Sequence, residues 1–273
     1  MKIAGIVLGC TAVDLIGHRL GPAFHYNAPP SVFIEKGLFI PAVVVLFIVT
    51  YGAAAAVFAA IQKELPGARL SKGFRYGISF GVLWFIGMIE MTLIAGSSLS
   101  YELYSGSVDG ISFLLLGVLL GVYSGADSIG KADGRKFAAA LVSVTVISLL
   151  FLIGRYFAYA VLHLESAYIN EPLATFIWTL CLGVWVGVMY QLLRQGIGGN
   201  SAFARGLWFG VLVFGSDWLL YTLFRAVFVK IALIQIVLRV GVDVIFVSAG
   251  VAVSERLLSR AAGESSLPGT AKG

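Results

Sequence analysis

Apolar residues in this chain fall in long runs rather than in alternation, and short polar stretches separate the runs. Eight such runs cover residues 3–23, 37–62, 73–96, 110–129, 136–162, 172–193, 205–229 and 232–254. A hydrocarbon layer about 30 Å thick takes about 20 residues of helix to cross. Only helices and closed barrels satisfy their backbone groups there, and runs without alternation are helical. The pattern therefore predicts an all-α polytopic membrane protein with eight transmembrane helices. Asp14, His18 and Arg19 interrupt the first run, and the last two nearly merge around Lys230. No connecting stretch is long enough for a soluble catalytic domain.

Composition agrees with the pattern. Of 273 residues, 59% are apolar and 12% charged, with 33 glycines and 7 prolines, and the mean hydropathy is +0.94. A soluble domain carries about twice that share of charge. A disordered chain, a disulfide scaffold and an ordinary soluble enzyme are excluded. Cys10 and Cys181 sit in separate apolar runs, and no CxxC spacing occurs, so neither a disulfide framework nor a metal site is expected. His25 and His163 fall in outer loops or helix ends and show no metal-site pattern. No cofactor is expected either. There is no GxGxxG after a strand, no phosphate-binding loop, no GxSxG and no Ser–His–Asp order.

The net charge of +5 does not point to nucleic acid, because the basic residues lie in short loops where they act as topology signals. With eight spans, the N-terminal side collects Lys2, Lys63, Arg69, Lys72, Arg75, Lys131, Arg135, Lys136, Arg194, Arg205, Arg256, Arg260 and Lys272. The opposite side holds only Arg19, Lys36 and Lys230. Thirteen against three places both termini in the cytoplasm of a multi-pass protein of a bacterial inner membrane. Membrane lipids are its expected surroundings. Val7-Leu8-Gly9-Cys10 bears a faint likeness to a lipoprotein cleavage box, but the apolar pattern continues past the cysteine, and an uncleaved first helix is expected.

The two halves look alike. Leu15-Ile16-Gly17-His18 matches Leu152-Ile153-Gly154-Arg155, and Phe39-Ile40 matches Phe176-Ile177. Lys72-Gly73-Phe74-Arg75-Tyr76-Gly77 matches Arg205-Gly206-Leu207-Trp208-Phe209-Gly210, and Gly117 and Ser124 match Gly241 and Ser248. The offset drifts from 137 to 133 to 124. Four matches in the same order predict a duplicated four-helix unit, with 1–135 and 136–256 as the two copies and 257–273 as a disordered cytoplasmic tail. An even number of spans per copy makes the repeats parallel, related by an axis along the membrane normal. The unit has a Gly-rich helix, a basic loop with Leu65-Pro66-Gly67, and then Lys72-Gly73-Phe74-Arg75-Tyr76-Gly77. In these features it resembles small uncharacterised four-helix integral membrane proteins of bacteria. The second copy departs from it, with Gln195-Gly196-Ile197-Gly198 in place of the Leu-Pro-Gly turn. The resemblance implies no activity and no functional residue.

Small residues recur every fourth position: Gly73, Gly77 and Gly81; Gly117, Gly121 and Gly125; Gly183 and Gly187; Gly206 and Gly210; Gly52 and Ala56. In lipid, helices associate by close packing rather than water expulsion, so these rows predict static helix–helix contacts.

Ionisable residues within the spans carry the candidate chemistry, since each costs about 2.5–3.5 kcal/mol to insert. They are Asp14, His18, Glu90, Arg155, Asp217, Arg225, Arg239 and Asp243, with Asp127 nearer the interface. At about 1.5 Å per residue, Asp14 and Asp217 lie roughly 18 Å deep, near the midplane. Asp14 and His18 share one helix face at i,i+4, as do Arg239 and Asp243, which invites a local ion pair. Arg225 is expected to snorkel towards headgroups. Tyr101, Tyr104, Tyr156 and Tyr168 suit an interfacial belt.

These residues predict a polar cavity that opens outward and a transporter or permease-like protein for a small solute or ion. Asp14, Glu90, Asp217 and Asp243 would bind protons or cations, with His18 beside Asp14 and with Arg155 and Arg239 tuning them. A structural or partner-binding subunit, and an intramembrane enzyme acting on lipid, are the alternatives.

Overall fold

A computed structural model describes residues 2–126 and 137–264. Asp127, Lys131, Arg135, Lys136 and the segment from 265 on, Lys272 included, lie outside the described residues.

The helices are α1 (Lys2–Leu20), the single turn α2 (Val32–Glu35), α3 (Phe39–Ile61), α4 (Arg69–Ala95), α5 (Leu99–Ser124), α6 (Phe137–Ala160), α7 (Pro172–Leu193), α8 (Ala202–Leu207), α9 (Ser216–Phe228) and α10 (Leu233–Glu264). A π-helical stretch, Trp208–Gly215, joins α8 to α9 into one continuous element. Eight helical segments are long and apolar enough to cross a bilayer. Among the described residues there is no strand, only an isolated bridge between Pro30 and Val229. The chain is all-α and has the makings of a multi-pass membrane protein.

The two largest boundary differences from the sequence expectation are at the start of α5 and the end of α10. α5 begins at Leu99, not near 110. Gly96 in the left-handed region (φ 66°) closes α4, and the Ser98 side chain caps α5 by accepting from the Tyr101 amide at 3.3 Å. The stretch reads as a loop by average hydropathy. Its polar residues Glu102, Ser105, Asp109 and Ser112 nevertheless recur at i, i+3, i+7 and i+10, which is one helix face, and all four are buried. α10 runs on to Glu264, past the boundary expected at 256.

α4 and α5 pack backbone to backbone. A Cβ on Gly117 would meet the Gly73 carbonyl oxygen at 2.4 Å and the Gly77 nitrogen at 2.5 Å, and one on Gly121 would meet the Arg69 oxygen at 2.4 Å. Gly206 and Gly210 similarly face Ser248 on α10, and Gly183 and Gly187 face Ser148 and Val144 on α6. The small-residue rows are thus interfaces. Gly52 is an exception, because it looks into open space, as does Gly241 outside these rows. α1 packs on α3 and α5; α6 packs on α7 and α10; the α8–α9 element packs on α10. The main contacts between these groups are those of α4 with α7 and α3 with α9.

The end opposite the N-terminus is closed by residues 21–31. The Asn27 amide donates to Ala95 O at 2.8 Å, the Ser31 amide to Phe228 O at 3.2 Å and the Lys230 amide to Pro29 O at 2.9 Å. Phe24 and Tyr26 of this cap meet Phe39 and Phe228 ring to ring.

Candidate functional site

The ionisable residues gather in three places. The largest group centres on Glu90, which α4 carries near its C-terminal end. Glu90 Oε1 accepts from Arg239 at 2.7 Å and Arg155 at 3.3 Å, and Oε2 accepts from Arg225 at 2.6 Å. Asp243 of α10 pairs with Arg155 at 2.8 Å and accepts from the Trp218 indole at 2.7 Å. Arg239 also donates to the Glu165 carbonyl. The Arg155 guanidinium lies 5.3–5.4 Å from the Phe151, Trp178 and Trp218 ring centroids. All five charged side chains are 5% exposed or less. Three guanidiniums against two carboxylates leave one excess positive charge.

This geometry corrects two expectations. Arg239 and Asp243 do not form a pair along their own helix, because Arg239 reaches across to Glu90 while Asp243 takes Arg155. Arg225 does not snorkel. It is 2% exposed, because α9 turns its side chain inward to Glu90. The cavity touching this group, lined by Glu165, Thr222, Arg225, Gln235 and Arg239 among others, has a volume of about 10 Å³. That is room for about one water and no larger solute.

The second group lies between α1, α3 and α5. His18 Nε2 is 3.0 Å from Asp14 Oδ1 and 3.0 Å from Asp109 Oδ1. Its Nδ1 is 3.3 Å from Ser105 Oγ. Tyr51 donates its hydroxyl to Asp14 Oδ2. The imidazole stacks on Phe47, with centroids 6.1 Å apart. Both carboxylates are fully buried, whereas the His18 side chain is 21% exposed. Among the described residues no Lys or Arg pairs with either acid. The i,i+4 contact expected for Asp14 and His18 is present, and Asp109 adds to it. Asp109 Oδ2 is buried and accepts no hydrogen bond.

Glu102, two turns from Asp109 towards the N-terminal end of α5, is also fully buried. The Tyr26 and Ser97 hydroxyls lie beside its carboxylate, but none of these atoms is in hydrogen-bonding geometry. Burial and the Glu102 charge push the Tyr26 hydroxyl, in the 21–31 cap, above its ordinary pKa, so it remains a proton donor. Tyr101, expected in the interfacial belt, is buried under this cap. The Tyr104 hydroxyl donates to Gly17 O at 2.8 Å.

Asp217 stands apart. It accepts from the Trp84 indole at 3.0 and 3.1 Å, and no cation pairs with it among the described residues. It lies two residues past the π-helical stretch of span seven, a deviation that often marks functional positions.

The structure thus divides the candidate residues. Glu90, Arg155, Arg239 and Asp243 come together. Asp14 and His18 come together elsewhere, and Asp217 joins neither. Ring contacts from His18 to Phe47, from Phe47 to Phe224 and Trp84, and from Trp84 to Tyr221 separate the two main groups. Sequence reading missed Asp109, Glu102 and Tyr51. The helical spacing of Glu102, Ser105, Asp109 and Ser112 was the available signal for the first two. A larger groove of about 380 Å³, lined by Lys2, Gly5, Ile6, Gly9, Leu119 and Tyr123, contains none of the candidate residues.

Comparison with protein-family models, curated proteins and solved structures finds no match for this chain.

Proposed function

We propose that this chain is a transport protein of a bacterial inner membrane that passes a small ion, a proton or a metal cation, through the group formed by Asp14, His18 and Asp109. One observation carries the reading: two fully buried carboxylates converge on a single partly exposed imidazole, with no arginine or lysine among the described residues paired with them. Packing alone does not call for uncompensated acid at this depth, where each charge is costly. An imidazole within reach of two carboxylates is a proton-exchanging arrangement. The Glu90 group is its opposite, compact and saturated with arginine. In this reading it is a clamp, because Glu90 belongs to the first half of the chain while Arg155, Arg225, Arg239 and Asp243 belong to the second. Asp217 and Asp243, first considered as binding acids, serve packing here.

The bias of thirteen basic residues against three supports cytoplasmic termini. The His18 group then lies in the outer half of the membrane. We also infer two parallel four-helix repeats, akin to small four-helix membrane proteins of bacteria. Exchanging spans one to four with five to eight turns the α4–α7 contact into the α9–α3 contact, and both occur. The same exchange relates α1 on α5 to α6 on α10.

A structural role without transport is the second reading, favoured by the small volume at the Glu90 group. The two are separated by flux through vesicles containing the purified chain, with a pH-sensitive dye inside and an imposed potassium diffusion potential. Asp109→Asn and His18→Gln are expected to abolish proton or cation uptake while helicity and elution profile stay unchanged. Undiminished uptake in both folded variants, or none above empty vesicles in the unaltered chain, overturns the transport reading.

A further inference from the structure

We propose that Asp14, His18 and Asp109 bind a divalent transition-metal cation, each carboxylate giving one oxygen and the imidazole giving Nε2. The proposal rests on the transport reading and names the ion that this group takes.

The ligand atoms of the three side chains all lie within 4.8 Å of one another, with Nε2 at 3.0 Å from both Oδ1 atoms. Metal–ligand bonds of about 2.0–2.2 Å hold tetrahedral ligands about 3.3 Å apart, so small side-chain shifts suffice. The orienting contacts are in place as well. Ser105 Oγ beside Nδ1 can accept a hydrogen bond from a proton held there, as the tautomer that leaves the Nε2 lone pair facing the carboxylates requires, and Tyr51 holds the second oxygen of Asp14. Metal-binding histidines and carboxylates are held in this manner.

Charge and hydrogen bonding supply an independent argument. With Nδ1 carrying the proton, three lone-pair-bearing atoms point at one spot. A proton on Nε2 relieves the repulsion but leaves the group one negative charge in excess. A divalent ion with a neutral imidazole balances the two carboxylates fully. Asp109 Oδ2 is buried and has no donor, and its side chain is already turned to His18. Glu102, on the same face of α5 and close enough to His18 and Asp109 to act on both electrostatically, is a further buried acceptor on the outer side. One nitrogen and two oxygens suit zinc, cobalt, iron or manganese. Calcium and magnesium demand more oxygen ligands, and copper(I) prefers sulfur.

The test is a Co²⁺ titration of the full chain in detergent, with His25→Gln and His163→Gln to remove the other imidazoles. Visible absorption and metal analysis give the readout. One Co²⁺ per chain is expected, displaced by Zn²⁺ and not by excess Mg²⁺. Asp14→Asn, Asp109→Asn and His18→Gln should lose the band. Tyr51→Phe and Ser105→Ala, which keep all three ligands, should weaken binding about 10–100-fold, and they decide the matter where a ligand variant fails to fold. Glu64→Gln, in an exposed loop, should change nothing. Absence of stoichiometric Co²⁺, or a band that survives Asp109→Asn and His18→Gln, overturns the metal site. Proton flux that depends on Asp109 with no Co²⁺ bound would defeat the metal and keep transport. Co²⁺ bound as expected with no flux of any cation would keep the metal and defeat transport.

Discussion

Trp84 and Asp217 are 133 residues apart in the chain, and the indole of one donates to both carboxylate oxygens of the other, at 3.0 and 3.1 Å. The same offset separates Gly73 from Gly206 and Gly77 from Gly210. In a parallel duplication, equivalent positions touch only near the axis relating the copies, so Trp84 and Asp217 mark where that axis would pass. Trp84→Phe leaves a buried carboxyl without its donor and is expected to cost about 1–3 kcal/mol. Asp217→Asn keeps an oxygen acceptor for the indole and should cost less than about 1 kcal/mol. Thermal unfolding in detergent measures both, and equal losses would show that the carboxyl itself, rather than the hydrogen bond, matters there.

Among the described residues Glu90 is the only acid within ion-pair distance of Arg225 and Arg239. Glu90→Gln would leave two buried guanidiniums without an ion-pair partner and Arg155 with Asp243 alone. Removing one partner of a buried pair typically costs about 3–5 kcal/mol, and that loss is expected here. Adding Arg225→Met should recover part of it, because it removes one uncompensated charge. Urea unfolding of the purified single and double variants checks this, and a double variant less stable than Glu90→Gln would contradict the clamp.

The α4–α5 contact gives a sharper steric prediction. A methyl at Gly117 would stand 2.4 Å from the Gly73 oxygen, and neither backbone can yield without parting the helices. Gly117→Ala should cost about 1–3 kcal/mol or more, whereas Gly52→Ala and Gly241→Ala, which face open space, should be neutral or slightly stabilising. Elution profile and melting temperature of the three variants decide it.

These contrasts show what the linear pattern conveys. Eight apolar runs were enough to place eight helices, because hydrocarbon length sets span length. Pro172–Leu193 agrees at both ends with the expected span. Spacing also recovered the Asp14–His18 contact, since i,i+4 geometry is local. Partners on other helices were not legible. Arg239 and Asp243 satisfy the same i,i+4 rule, yet each pairs elsewhere, because Glu90 and Arg155 arrive from α4 and α6 at positions no local rule contains. Asp109 and Glu102 escaped for another reason. Average hydropathy treats a polar stripe as loop, while folding sees only that the stripe faces inward. Likewise Gly241 matched Gly117 in sequence, but Ser248 is what Gly206 and Gly210 meet, so the spacing gave the motif without its register.

Orientation in the membrane yields the last prediction. Glu64 follows α3 on the side of the N-terminus, while Lys36 and Lys230 lie at the opposite end, and all three are exposed. Cys10 is buried and Cys181 exposed, both as free thiols, so replacing both with Ser gives a background in which one introduced thiol reports its side. Lys36→Cys and Lys230→Cys should react with a membrane-impermeant maleimide in intact cells, and Glu64→Cys only after lysis. The basic bias demands this result, since Lys and Arg are retained on the cytoplasmic side of short loops. The reverse pattern would turn the His18 group towards the cytoplasm, and with it the direction from which an ion first reaches Asp14 and Asp109.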